Sequence, residues 1–195
     1  AADPEMPRGL NFKMNVVEKK RQSFIHFNNH NGKALGPNQV VVGNTFNNLM
    51  VDGDQVSTVY AMNPDYEKRM RYGSLSYTRF FYDGSSLEAA WNCSHTRPGL
   101  VFEVFDFRGQ NQNFLFTWRR PLEKTFEKNT SWMVKLDGSN SWTYVNALQL
   151  LDSHNRIRSV RLGYSYNSQT DGRVKTGPLT FFQGLNVMDA CHAFS

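Results

Sequence analysis

The 195-residue chain carries 22 Lys and Arg against 17 Asp and Glu, a formal charge of +5 and a pI of ≈ 9.3. Its hydrophobic fraction of 39% and aromatic fraction of 14% suit a globular domain that buries its own core, which excludes a small scaffold held mainly by disulfides. No apolar run approaches the roughly 18–20 residues of a helical membrane span, and the mild basicity is compatible with acidic glycans, anionic lipid heads or nucleic acid without selecting one.

In chain order, Ala1-Ala2-Asp3-Pro4 reads as the scar of a removed leader or fusion, so residues 1–7 are placed outside the fold and 8–195 are expected to form one β-sandwich domain. Leu10, Phe12, Met14 and Val16 alternate with polar residues, the period of a half-buried strand. Strand-like runs follow at 24–27, 40–42, 56–60 and 75–82. Residues 64–71 are read as a short helical turn, and 86–91 as helix or strand. Residues 101–107 (Val-Phe-Glu-Val-Phe-Asp-Phe) are apolar on nearly both faces and predict a central strand. Further strands are expected around 114–118, 142–148, 160–166 and 179–187, with 145–153 ambiguous. The total comes to ten to thirteen strands.

Turn dipeptides punctuate these runs: Asn31-Gly32, Asp52-Gly53, Asp83-Gly84, Asp137-Gly138 and Asp171-Gly172. Each tolerates the positive φ of a tight hairpin, and 83–84 and 137–138, flanked by apolar runs, are the firmest. Many short strands with turns between them predict an all-β, antiparallel β-sandwich, jelly-roll-like, with at most one or two short helices.

Cys93 and Cys191 are the only cysteines, 98 positions apart. An even count predicts a disulfide between them. The alternative is two buried free thiols. Asn92-Cys93-Ser94 and Asn129-Thr130-Ser131 match the N-glycosylation pattern, which makes Asn92 and Asn129 candidate glycan carriers and the chain a secreted or extracellular glycoprotein. No CxxC or HxxxH spacing accompanies the cysteines, so neither a metal nor another cofactor is expected. Cys93 and His95 share a strand face, as a thiolate–imidazole pair would, and Asp52 with Asp54 loosely matches a calcium-loop fragment. There is no Gly-x-Ser-x-Gly elbow, and Glu88 and Glu103 are two carboxylates among many. The balance leans against an enzyme.

One strand carries a denser polar signal. In Phe24-Ile25-His26-Phe27-Asn28-Asn29-His30, His26, Asn28 and His30 fall on one face, and Val41-Val42-Gly43-Asn44 ends a following strand on an amide. These residues resemble part of the galectin carbohydrate-recognition pattern, a His-x-Asn-x-basic strand beside a Val-x-x-Asn strand, over about residues 22–46. His30 stands where that pattern has arginine, and its Trp-Glu-Arg has no counterpart after Asn44. The resemblance implies a lectin-like, non-catalytic binding module with His26, Asn28, His30 and Asn44 as ligand-binding residues. The basic clusters Lys19-Lys20-Arg21, Lys68-Arg69-Met70-Arg71, Arg119-Arg120 and Arg156-Ile157-Arg158 are read as solvated, or as an anion patch for sulfated glycan or lipid head groups if they converge. The expected partner is a glycan or a cell-surface protein, with no nucleic acid. A protein–protein interaction domain is the rival reading. A membrane-active β protein, using Trp, Tyr and basic residues at a lipid surface, is the third.

Overall fold

The structure, a computed structural model, describes residues 2–3, 6–10, 18–29, 31–65, 69–145, 151–170 and 173–185. Eleven strands and one helical turn are present among them. β1 (Ala2–Asp3) and β2 (Met6–Leu10) pair with each other. The rest form one antiparallel sheet: β3 (Arg21–Asn28), β4 (Gln39–Asn47), β5 (Asp54–Met62), β6 (Met70–Phe80), β7 (Ser86–Thr96), β8 (Phe107–Lys124), β9 (Lys128–Val145), β10 (Leu151–Thr170) and β11 (Arg173–Gly184). The helical turn α1 (Val101–Val104) lies between β7 and β8.

Every strand of the large sheet pairs with its neighbours in sequence, from β3 at one edge to β11 at the other. That order is a meander built from local hairpins, and β3 and β11 each have a single partner among the described residues. The all-β expectation holds, but one open sheet stands in place of two packed layers. A sandwich buries the facing surfaces of two sheets about 10 Å apart. Here the only other sheet among the described residues is the β1–β2 pair, and Ala61 is the only buried hydrophobic residue among them.

The connections differ at the two ends of the sheet. At one end they span 48–53, 81–85, 125–127 and 171–172, and at the other 29–38, 63–69, 97–106 and 146–150. The first set is the turn end and the second the loop end. Asp52-Gly53 and Asp83-Gly84 do form turns, with Gly53 at φ 82 and Gly84 at φ 79, where a side chain would be strained. The first is held by Asp54, whose carboxylate accepts the amides of Leu49 (2.7 Å), Met50 (3.0 Å) and Val51 (3.1 Å).

Two expectations fail for physical reasons. Asp137-Gly138 is not a turn and lies inside β9, directly opposite Phe114 and Leu115 of β8. A methyl group on Gly138 would overlap the Phe114 ring, so glycine is there to let the aromatic lie across the neighbouring backbone. Residues 101–107 are not a central strand. Leu100 and Asp106 take positive φ, 60° and 44°, which folds the segment into α1 and leaves Val101 and Val104 exposed. Of the ambiguous stretches, 86–91 belongs to β7, while the proposed 64–71 helix gives way to β6 from Met70, with 66–68 outside the described residues.

Candidate functional site: two unlike faces of one sheet

Side chains alternate between faces along a strand, and directly opposed residues on paired strands share a face. The register therefore sorts all nine strands into two surfaces. One face carries Gln55 and Ser57 of β5, Ser74, Ser76 and Thr78 of β6, Asn92 and Ser94 of β7, Asn111 and Asn113 of β8, Ser139 and Ser141 of β9, and Ser159 and Ser165 of β10. It is mainly small, uncharged and polar. Phe24, Val41, Val59, Tyr72, Leu115, Met133, Ile157 and Phe182 interrupt it, and it also carries the charged Glu88, Lys135, Asp137 and Arg161.

The opposite face carries Val42, Tyr60, Leu75, Trp91, Phe114, Phe116, Leu136, Leu162, Tyr164, Leu179 and Phe181, every one of them exposed. An exposed, contiguous apolar surface this extensive is foreign to a soluble monomer and marks a place where water is replaced. Its extent is measurable on β9. Trp132 and Trp142 point to this face ten residues apart, with Val134 and Leu136 between them. At about 3.4 Å per residue and a tilt near 45°, they stand roughly 25 Å apart along the normal, close to the height of a lipid-facing band.

Aromatic residues gather at both margins of that band. At the turn end Trp118 and Trp132 meet edge to face, centroids 4.7 Å apart. At the loop end Trp142 stacks on His154 at 4.8 Å, and Tyr144 is exposed beside them. Arg158 lies over the Phe114 ring at 4.9 Å and donates to Asn140 Oδ1 (2.7 Å) and to the Ser139 carbonyl (3.1 Å), which lets a guanidinium remain on an apolar face.

The polar face has its own ordered centre. Arg161 Nε lies 3.2 Å from Asp137 Oδ1, and Ser159 Oγ donates to Asp137 Oδ2 at 2.8 Å. A concavity of ≈ 500 Å³ near the turn end includes Arg119, Ser131, Met133, Ser165 and Thr180 of this face in its lining. Among the described residues no three His, Cys, Asp or Glu side chains are grouped to hold a metal ion.

The residues singled out from the sequence do not assemble into one site. His26 and Asn28 lie on the polar face of β3, the edge strand, where Asn28 Nδ2 donates to Gln39 Oε1 at 2.9 Å. Asn44 is opposite Ser23 and so projects from the other face, accepting from Ser23 Oγ (2.7 Å) and Arg21 Nη2 (3.1 Å). His30 lies outside the described residues. Cys93 is half-buried on the apolar face of β7, and Cys191 is outside the described residues. Asn92 projects to the polar face and accepts from Asn113 Nδ2 at 3.0 Å, while Asn129 sits near the turn end of β9. The basic clusters separate too, since Arg119 and Arg120 are consecutive and face opposite ways.

The family profile of the haemolysin secretion/activation proteins ShlB/FhaC/HecB matches residues 12–194. This chain belongs to that family. The sheet resembles CdiB from Escherichia coli, with a TM-score of 0.77 at 15% identity, over 93% of this chain and 34% of that one. It also resembles CdiB from Acinetobacter baumannii, with a TM-score of 0.61 at 18% identity, over 86% of this chain and 32% of that one. At these identities the likeness concerns the fold, and the chain spans about a third of either protein. No curated protein sequence matches it.

Membership in the ShlB/FhaC/HecB family overturns the galectin-like reading, and with it the lectin-like, glycoprotein and carbohydrate-binding assignments. Two adjacent strands with His and Asn are common to any polar-faced sheet, and the two sequons are tripeptides that a Ser-, Thr- and Asn-rich sheet face generates often. The signal that sequence reading passed over was the other phase of the same strands. Apolar residues on one face and small polar ones on the other, in strands broken by turns, are the weak mark of a membrane barrel wall.

Proposed function

We propose that this chain forms part of the wall of an outer-membrane β-barrel transporter that exports a protein substrate. Its apolar face would meet lipid, and its polar face would line a water-filled passage. One observation carries the reading: the exposed apolar band, bounded by aromatics, lies on one face of a nine-stranded meander whose other face is small and polar. In lipid a strand array satisfies every backbone group only when it is closed. The outer edges of β3 and β11 would therefore pair with strands from the remainder of the protein, consistent with a chain one-third the length of the CdiB structures. The family's description as secretion/activation proteins supports an exported protein as the cargo. It also favours the membrane-active alternative over a carbohydrate module. By the usual asymmetry of such barrels the short turns would face the periplasm and the longer loops the exterior.

The test is site-directed labelling of the full-length protein in lipid vesicles. Fluorophores on single cysteines at Leu136 and Leu162 should be quenched by bromine-bearing lipid, and those at Lys135 and Ser165 by aqueous iodide. The opposite pattern, or failure of the protein to insert, would refute the assignment.

A further inference from the structure

The connection between β3 and β4 does not extend away from the sheet. Its residues 31–36 turn back over the loop end of the polar face. Gln39 of β4 and Met70 of β6 belong to that face, and Asn63, one residue past β5, continues it two residues beyond Ala61. Asn63 Nδ2 donates to the Leu35 carbonyl at 3.0 Å, and Asn31 Nδ2 lies 3.6 Å from Met70 Sδ. Further across, the Gly99 amide donates to the Ala34 carbonyl at 2.7 Å. Gly99 follows β7, so the segment reaches from β4 past the ends of β5 and β6. That is three inter-strand spacings, roughly 14 Å.

The best-covered place on this face lies under the segment. Asn63 has no exposed surface (0%) and Ala61 is 3% exposed. Gly36 is buried too, and its φ of 90 bends the chain just before it enters β4. Within the segment the Leu35 amide donates to the Gly32 carbonyl (3.0 Å) and the Gly36 amide to the Lys33 carbonyl (3.3 Å), which makes 32–36 a compact turn able to move as one body. Its hold on the sheet is polar, through the carbonyls of Ala34 and Leu35. Leu35 is the one large apolar side chain in 31–36, and it is half-buried. Segments tied down by a few hydrogen bonds rather than by buried apolar contacts open most easily. Nothing lies within 4 Å of where a Gly32 side chain would begin, which leaves room at that end for the turn to swing.

We propose that residues 31–36 form a strap over the polar passage: seated, it narrows the outer mouth on the β4–β7 side, and it lifts as one body to widen it. This rests on the barrel reading above, which makes the polar face a passage and the loop end its outer mouth.

The experiment records ionic current through the full-length protein in planar phosphatidylcholine bilayers. The wild-type protein should switch between two conductance levels that differ at least about twofold, as a change in pore width dictates. A variant lacking residues 32–35 should stay at the higher level. Ala34→Cys/Pro98→Cys, in a Cys93→Ser/Cys191→Ser background, should switch like wild type until a short bismaleimide joins the two thiols, and then stay at the lower level. Met50→Ser, in a turn at the opposite end of the sheet, should switch as wild type does. Electrophoretic mobility before and after boiling checks that each variant is folded. If the shortened variant is not, the treated and untreated forms of the cysteine pair decide alone. A single level in the wild-type protein, a lower level still visited without residues 32–35, or a higher level still visited after cross-linking would each overturn the strap. A protein that inserts and conducts without these differences removes only the strap, and failure to insert removes the barrel reading with it.

Discussion

The two faces of β9 are made from neighbouring residues and obey opposite rules. Val134 is half-buried and Leu136 exposed, both among other apolar side chains, while Lys135 and Asp137, one position along each time, lie on the face that carries Thr117, Ser139 and Ser159. In a water-soluble sheet the apolar set would be covered and the polar set exposed. Here only Ala61 among the described residues is a buried hydrophobic, whereas Asp54, Asn63, Thr117, Thr130, Arg158 and Ser159 are buried polar residues. The difference teaches that this sheet keeps its ordinary period-two pattern while leaving its apolar set uncovered, as the proposed barrel wall would require. Hydrogen bonding along the ladder, rather than a shared apolar core, holds adjacent strands together.

The sharpest way to break this comparison is to move a charge by one residue. Leu136→Arg puts a guanidinium mid-band, and it should cost about 2–4 kcal/mol of folding stability in a bilayer. Ser139→Arg, on the polar face of the same strand, should cost under about 0.5 kcal/mol. Reversible unfolding of the full-length protein from lipid vesicles measures both. Equal costs would show that the faces do not see different solvents.

A second, smaller effect concerns how the faces are packed. Gly138 lies beneath the Phe114 ring, and Arg158 lies on that ring at 4.9 Å. Gly138→Val should displace the ring and cost about 1–3 kcal/mol, the usual range for overpacking. Adding Phe114→Ala should return part of that loss, because valine is otherwise well suited to a strand. If the double variant is no better than the single one, the ring is not what the glycine accommodates.

On the polar face, Asp137→Asn removes the charge that faces Arg161 and weakens the bond from Ser159. The pair is part-exposed, so the expected loss is only about 1 kcal/mol. A double-mutant cycle with Arg161→Gln should give a coupling of similar size. A coupling near zero would make the pair incidental.

How much of this was legible follows from which contacts are local. Strand identity in β3 to β6 and the turns at Gly53 and Gly84 are read directly, since alternation and positive-φ glycines act within a few residues, whereas 86–91 of β7 stays open between helix and strand. The length of β8 to β10 cannot be read this way. Asp137-Gly138 has the composition of a turn, and only the cross-strand neighbour Phe114 explains a glycine inside β9. The apolar run at 101–107 was misleading for the same reason, because its fate is set by the backbone at Leu100 and Asp106. The functional reading failed at a different step. Alternation says that the two faces differ, but not which of them meets water, and the assumption of a buried apolar core fails because the apolar face is uncovered among the described residues. The galectin-like pattern groups His26, Asn28 and Asn44, whereas the odd–even register of β3 and β4 sends Asn44 to the other face.

The mildest prediction tests whether the turn end is built independently of either face. In the turn at 81–85, Asp83 accepts from Ser85 Oγ at 2.6 Å and from the Ser85 amide at 2.9 Å, with Ser85 itself buried. The Ser85 hydroxyl and amide, with a smaller contribution from Arg120, hold the Asp83 carboxyl below its usual pKa. A carboxylate with a lowered folded pKa stabilises the fold above the unfolded value near 4, and that contribution disappears as pH falls through the lower folded value. The turn should therefore be unchanged from neutral pH down to about pH 5 and loosen only below about pH 4. Asp83→Ala should loosen it at every pH, because the buried Ser85 amide then lacks its acceptor. Amide hydrogen exchange at Ser85, followed from about pH 6 to about pH 3 and corrected for intrinsic rates, reads this directly. Protection that falls between pH 6 and 5, or that survives Asp83→Ala, would show that the turn is held from the sheet and not by its own carboxylate.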